Sequence, residues 1–154
     1  MTQAKAMTVF LPDEAATQQL AQRLAEHLPL RAAVYLHGHL GAGKSTLARA
    51  MLRALGVTGA IKSPTYTLIE RYPGAGGELA HLDLYRIGDP EELEFLGLDE
   101  LHATARLWLI EWPERGLGGL PECDLDIELS VEGDGRLATL HGISVDGQRW
   151  LTTL

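Results

Sequence analysis

Apolar positions recur along this chain in two patterns, each typical of one kind of secondary structure. In residues 20–28 and 47–55 they return every three or four positions, which predicts two amphipathic helices. The first helix follows Pro12 and ends at Pro29, and the second ends at Gly56. In residues 32–36 and 107–110 the apolar run is continuous, which predicts strands covered on both faces, as in a parallel sheet.

Two other regions predict antiparallel hairpins. Residues 65–72 and 79–85 flank a Pro- and Gly-rich turn at 73–77, and residues 125–143 alternate in polarity around a Gly-Asp-Gly turn. A short strand at 7–11 and a helix beginning at Asp89-Pro90 complete the set. We therefore predict one α/β domain over 1–154, with a mixed central sheet flanked by helices, a hairpin after the second helix and a C-terminal hairpin.

Composition and charge narrow the classes of protein. The chain has 154 residues, 45% of them hydrophobic, and a net charge of 13 − 21 = −8. An acidic surface disfavours direct contact with nucleic-acid phosphates, so a nucleic acid served by this chain would be held by a partner. Cys123 is a lone thiol, and we find neither a signal-peptide pattern nor an apolar run that could span a membrane. We expect a soluble, cytoplasmic protein that uses no membrane.

A glycine-rich motif lies between the first apolar strand and the second helix. Gly38, Gly43, Lys44 and Ser45 fit the pattern G-x-x-x-x-G-K-[ST]. Its glycines let backbone N–H groups surround a phosphate, its lysine contacts the β- and γ-phosphates, and its hydroxyl binds Mg²⁺. We predict a P-loop NTPase-like fold and an exposed Lys44 side chain. The predicted nucleotide-binding residues are Gly38, Leu40, Gly41, Ala42, Gly43, Lys44, Ser45 and Thr46.

A P-loop site also needs a carboxylate at the end of a neighbouring strand, to hold Mg²⁺ and orient water. Glu111 directly follows the apolar strand 107–110 and fits this role better than that of a surface acid. Asp83 lies on the polar face of its strand with His81, although a structural salt bridge to Arg71 or Arg86 is an alternative. We predict Lys44, Asp83 and Glu111 as catalytic residues and Ser45, Glu111 and Asp83 as the Mg²⁺ site.

The nucleotide is predicted to be ATP. Guanine-specific P-loop proteins read the base with an Asn-Lys-x-Asp segment, and this chain contains no asparagine. A small-molecule kinase is the rival class, but the later arginines are scattered rather than clustered in a lid. An ATP-sensing module without enzymatic activity is the third possibility.

No glutamine is close in sequence to either acid, so we expect slow intrinsic hydrolysis and a switch completed by a partner. The six histidines show no zinc spacing and are interpreted as solvated or packing residues.

Five blocks in order make the chain resemble the bacterial TsaE family. They are the P-loop from Gly38 to Lys44, Lys62-Ser63-Pro64-Thr65-Tyr66-Thr67-Leu68, His81-Leu82-Asp83-Leu84-Tyr85-Arg86, Asp89-Pro90-Glu91-Glu92-Leu93-Glu94-Phe95 and Ile110-Glu111-Trp112-Pro113. The resemblance covers residues 12 to about 121. The chain has His39 where the family commonly has Asp, and Ser45 where it commonly has Thr.

The resemblance implies an ATPase needed for N6-threonylcarbamoyladenosine (t6A) modification beside the tRNA anticodon. It implies the partners TsaD and TsaB, with TsaC supplying the activated threonylcarbamoyl adenylate and tRNA contacted only through the complex. It also implies adenine near residues 13–17 and Mg²⁺-ATP held by Asp83 and Glu111. The residues implied as a switch or partner contact are Ser63, Pro64, Thr65, Tyr66, Thr67, Arg86 and Trp112. By composition alone, residues 63–67 are a proline turn entering a strand, and a core position is the alternative for Trp112.

Overall fold

The computed structural model describes residues 5–154 and shows an α/β fold built on one seven-stranded sheet. The strands are β1 Lys5–Leu11, β2 Ala32–His37, β3 Ile69–Gly74, β4 Gly77–Asp83, β5 Ala105–Glu111, β6 Leu125–Glu132 and β7 Gly135–Gly142. The helices are α1 Glu14–Glu26, α2 Lys44–Ala54, α3 Leu98–Thr104 and α4 Val145–Thr152, and two 3₁₀ helices span Pro90–Leu96 and Pro113–Gly116.

The sheet is mixed, with strand order β1-β7-β6-β2-β5-β4-β3. Strand β2 pairs in parallel with both β5 and β6, and β4 pairs in parallel with β5. The pairs β1–β7, β6–β7 and β3–β4 are antiparallel. The carboxyl ends of β2, β4 and β5 therefore meet at one edge of the sheet, which is where α/β proteins place their ligand sites.

Helices cover both faces of the sheet, which explains the continuous apolar runs of its central strands. One face packs α1, α2 and α4 in a core that includes Leu24, Met51 and Trp150. The other face packs the first 3₁₀ helix and α3 around Leu93, Leu101 and residues such as Trp108 of β5. Successive residues of β5 alternate between these two cores, so both faces of the strand are dry.

Most of the helices and strands were predicted from the sequence, but some of their boundaries were predicted wrongly. The hairpin after α2 begins at Ile69, not at residue 65, because residues 64–67 form a turn. Leu68 ends that turn with φ of +68°, and its N–H donates to the carbonyl of Pro64 at 2.8 Å. The partner strand ends at Asp83, so residue 85 lies outside it.

The helix predicted to begin at Asp89-Pro90 is confirmed, and it is a 3₁₀ helix. Asp89 is its N-cap, and the Asp89 carboxylate accepts from the N–H of Glu91. Helix α4 was not predicted; it is capped by Ser144, whose hydroxyl accepts from the N–H of Gly147 at 2.9 Å. Within residues 5–154, no helix combines the length and apolar character needed to cross a membrane.

Candidate functional site

The glycine loop connects the end of β2 to the start of α2, as the motif predicts. Gly38 has φ of +145°, and a Cβ there would lie 2.5 Å from the carbonyl oxygen of Leu129. Gly43 is the N-cap of α2 and has φ of +105°. Both positions need glycine, the first for a close backbone approach and the second for its left-handed conformation. The loop thus turns the chain so that the N-terminus of α2 faces the carboxyl edge of the sheet.

Lys44 begins α2 and is buried, so the prediction that its side chain is exposed is wrong. Only 5% of the residue is accessible to solvent. Its ammonium donates to the carbonyl of Gly38 and, at 3.2 Å, to that of His39, and lies 4.5 Å from the ring centroid of Trp112. Burial lowers the pKa of Lys44, an effect opposed by the charges of Glu111 and Asp83. The lysine therefore lies inside the loop, next to both predicted acids.

Glu111 ends β5 beside the glycine loop and faces the start of α2. Both of its carboxylate oxygens lie 2.9 Å from the hydroxyl of Ser45, which can donate to one of them at a time. The residue is 2% exposed. A hydroxyl and a carboxylate together are hard oxygen ligands of the kind Mg²⁺ prefers, and Mg²⁺ in nucleotide sites uses one or two protein groups plus phosphates. The donor set of Ser45 and Glu111 fits that ion.

His81 is a buried partner of Glu111 that sequence reasoning missed. It is 0% exposed, and its Nε2 lies 2.6 Å from Oε2 of Glu111. Of the two interpretations given to the histidines, solvated or packing, His81 is a packed residue, and its contact with Glu111 was not predicted. The available signal was its place two residues before Asp83 on one face of a strand. Parallel pairing of β4 with β5 sets Asp83 beside Glu111, so His81 and both acids share one face of the sheet.

Asp83 ends β4 and lies in the same cavity as Lys44 and Glu111. It is 8% exposed, and its Oδ1 accepts from the N–H of Tyr85 at 3.1 Å. Burial raises the pKa of Asp83, the negative charge of Glu111 adds to that rise, and the bond from Tyr85 opposes it. The alternative of a salt bridge from Asp83 to Arg71 or Arg86 is not what the structure shows. Arg71 pairs with Glu78 at 2.6 Å instead.

Aromatic side chains form one wall of the site. Trp112 has φ of +57°, and its ring centroid lies 5.0 Å from that of Tyr85. Arg115 lies over both rings, with its Cζ 5.3 Å from the Tyr85 centroid. Since Trp112 also contacts the ammonium of Lys44, the wall connects the loop lysine to the exposed surface.

The predicted switch segment, residues 63–67, reaches the site through one residue. Thr65 lines the cavity, and its hydroxyl lies 2.7 Å from that of Ser63. Pro64 is buried, and Thr67 donates to Glu70 at 3.0 Å. Tyr66 is 80% exposed and is covered on its ring by the guanidinium of Arg86, at 4.5 Å from the centroid. Thr65 thus faces inward while the Tyr66–Arg86 pair faces solvent.

Together these residues enclose a cavity of about 270 Å³. Of the predicted nucleotide-binding residues it includes Leu40, Gly41, Gly43, Lys44, Ser45 and Thr46. A second cavity of about 260 Å³ lies beside it, between the start of α1 and the glycine loop. Asp13 and Thr17 line this second cavity, and so does Ala42 of the loop. Arg136, which sequence reasoning did not select, lines both cavities.

A glycine loop between a central parallel strand and a helix, with a lysine at its end and a carboxylate on the next strand, defines a P-loop NTPase-like fold. A crystal structure of Bacillus subtilis YdiB has the same fold, with a TM-score of 0.81, 25% sequence identity, and coverage of 99% of this chain and 95% of that one. The family model described as threonylcarbamoyl adenosine biosynthesis protein TsaE matches residues 11–138. The chain belongs to the TsaE family.

Individual relatives agree with that assignment. The tRNA threonylcarbamoyladenosine biosynthesis protein TsaE of Haemophilus influenzae is 44% identical over 137 residues, which is 86% of this chain and 87% of the relative. The protein of the same name from Bacillus subtilis is 37% identical over 134 residues, 87% of this chain and 82% of the relative. A third, from Synechocystis, is 44% identical over 117 residues, 71% of each chain. The resemblance noted in the sequence is confirmed.

Proposed function

We propose that this chain is an Mg²⁺-dependent ATPase of the t6A modification machinery, acting as a switch on the TsaD–TsaB complex. Membership of the TsaE family supports a role in t6A biosynthesis. The names of the relatives give the pathway but neither the activity nor the partners. Those finer parts of the proposal rest on the site and on the sequence.

The observation that most supports ATP binding is the convergence of Lys44, Ser45 and Glu111 on one cavity. Lys44 would place its charge at the β- and γ-phosphates, and the N-terminus of α2 would direct unpaired N–H groups at them. The hydroxyl and carboxylate that meet at 2.9 Å would hold Mg²⁺, with Asp83 nearby to order water. The ion would neutralise charge developing on the phosphates.

The residues around this cavity support the proposal that the chain needs a partner. The glutamines of the described chain lie in α1 and α4, away from Glu111 and Asp83, so no glutamine is positioned to orient an attacking water. The Tyr66–Arg86 pair, which is exposed, adjoins the inward-facing Thr65. A protein docking on that pair would act on the site through residues 63–67. With a net charge of −8 the chain should not bind tRNA by itself.

The experiment measures phosphate release from ATP by this chain alone and with increasing TsaD–TsaB. We expect slow turnover alone and stimulation of about tenfold or more, which needs only about 1.4 kcal/mol of added transition-state stabilisation. Arg86→Ala should lose most of the stimulation while keeping its basal rate. The matched control is Arg149→Ala, an exposed arginine on α4, which should be stimulated like the wild type.

Two results would contradict the switch. A flat response to TsaD–TsaB, in a preparation that hydrolyses ATP, would remove the partner from the account. Transfer of the γ-phosphate to a small hydroxyl compound, together with that flat response, would favour the small-molecule kinase instead.

A further inference from the structure

Arg136 connects the C-terminal hairpin to the glycine loop. It is the second residue of β7, and its Nη2 donates to the carbonyl of Gly41 at 3.2 Å across 95 positions of sequence. Its Nη1 donates to the carbonyl of Gly135 at 2.9 Å. Position 135 needs glycine, since a Cβ there would lie 2.6 Å from the carbonyl oxygen of Leu11. The close packing of β7 on β1 thus fixes the base of the arginine.

The guanidinium lies where the two cavities of the site adjoin. Gly43, Thr46 and Arg136 line both of them. One cavity holds the reactive end of the site, with Lys44, Ser45, Asp83 and Glu111. The other is bounded by Pro12, Asp13 and Thr17 at the start of α1. A molecule bound across both cavities would lie against Arg136 at the point where the cavities adjoin.

The charges around the cavities indicate what kind of group passes there. Most of the charged side chains that line the two cavities are carboxylates. They are Asp83 and Glu111 in the first cavity and Asp13, Glu14 and Asp134 in the second. The cations among the lining residues are Lys44 and Arg136. A guanidinium has five N–H donors, so one that uses two on carbonyls retains others for an anion. A polyanion in this site would need Arg136 as well as Lys44.

We propose that Arg136 is a nucleotide-binding residue that contacts the phosphate chain on its α-phosphate side. Its bond to the carbonyl of Gly41 also holds the glycine loop in place. This inference rests on the proposed function and extends it to the C-terminal hairpin. Arg136 also lines the second cavity, whereas Ser45 and Glu111 line the first cavity alone. Its contact is therefore made equally by ATP and ADP. It contributes to affinity for either nucleotide and does not distinguish them.

The test measures the dissociation constants of ADP and ATP for three variants with the Mg²⁺ concentration held fixed. Arg136→Gln keeps an amide that can donate to Gly41 but removes the charge, whereas Arg136→Lys keeps the charge. We expect Arg136→Gln to weaken both nucleotides by the same factor of about tenfold or more, and Arg136→Lys to recover most of the affinity. Arg149→Gln, with the same loss of charge on α4, should bind like the wild type. Thermal unfolding shows whether each variant is folded.

Each other outcome overturns the inference. A folded Arg136→Gln protein with wild-type affinity shows that the arginine does not contact the nucleotide. If Arg136→Gln weakens the binding of ATP but not of ADP, the arginine contacts the γ-phosphate instead. If Arg136→Gln and Arg136→Lys retain the same affinity for both nucleotides, the side chain contributes only a hydrogen bond to the carbonyl of Gly41. If the wild type binds neither nucleotide, the proposed function fails and this inference fails with it; binding by the wild type together with an unaffected Arg136→Gln defeats this inference alone.

Discussion

The Nε2 atom of His81 lies 2.6 Å from Oε2 of Glu111, and the two side chains are 0% and 2% exposed. The same carboxylate accepts from Ser45, so the acid at the end of β5 is held from both sides. Because both side chains are buried, this arrangement fixes the direction of the carboxylate before any ligand binds. Removing a group that orients a metal-binding carboxylate typically costs about 10- to 100-fold in metal affinity or activity.

Replacing His81 should therefore weaken catalysis more than nucleotide binding. His81→Leu fills similar space and removes the donor to Glu111. We expect turnover to fall by about 10- to 100-fold with little change in the dissociation constant of ADP. His27→Leu, at an exposed position after α1, serves as the control. Parallel losses in turnover and in ADP affinity would mean that His81 supports the fold of the site and does not orient Glu111.

Lys44→Ala should abolish most ATP turnover in a folded protein. Alanine is the best helix former, so α2 should remain intact, and the change removes a buried charge. Without the ammonium, the charge developing on the phosphates is not neutralised, and we expect a loss of about 100-fold or more. Phosphate release and circular dichroism measure the two effects. Undiminished turnover by the folded variant would end the P-loop interpretation.

Glu111→Gln and Asp83→Asn should each reduce turnover, and their effects should not add. If both carboxylates act on one Mg²⁺-ATP unit, removing either disables the unit and the double variant loses little more. We expect losses of about 10- to 100-fold for each, and a weaker dependence on Mg²⁺ for Glu111→Gln. Glu128→Gln, an exposed acid on β6, is the matched control. Strict additivity, or a wild-type Mg²⁺ titration in Glu111→Gln, would count against the assignment.

Asp83→Asn should also make the protein without Mg²⁺ and nucleotide more stable at neutral pH. Burial raises the pKa of Asp83 above its unfolded value of 3.8, so the folded state binds the proton more tightly. The resulting stability is present below pH 3.8 and is lost as the pH rises through the folded pKa. At pH 7 the wild type thus carries an unfavourable buried charge that asparagine lacks.

Urea unfolding at a series of pH values tests that sign. The free energy of unfolding of Asp83→Asn should exceed that of the wild type at pH 7, and the difference should shrink as the pH falls toward 4. A variant less stable than the wild type at pH 7 would show that the Asp83 charge is favourable in the fold.

Local sequence patterns were sufficient to predict those parts of the site that lie at the end of one strand or the start of one helix. The motif from Gly38 to Ser45 places the loop between β2 and α2, and the dry run before Glu111 places that acid at a strand end. These features depend on neighbours a few residues apart, so periodicity and glycine chemistry indicate them. The pairing of β2 with β5 then follows from two continuous apolar runs.

Features set by long-range packing could not be read in the same way. His81 looks like the polar side of an alternating strand, and it is buried because the parallel register of β4 with β5 turns that side toward the site. Arg136 reaches Gly41 because β6 lies beside β2 and brings β7 near the loop, a topology that no local pattern specifies. Lys44 is buried through Trp112 and two loop carbonyls, which again come together only in the fold.

The most direct test of the central claim is the formation of t6A in unmodified tRNA by purified TsaB, TsaC and TsaD, with this chain added or omitted. We expect many rounds of modification per complex when the wild-type chain is present. When Lys44→Ala replaces the wild type, we expect little more t6A than is formed without the chain. Equal t6A yield with the wild type, with Lys44→Ala and with the chain omitted would contradict the account.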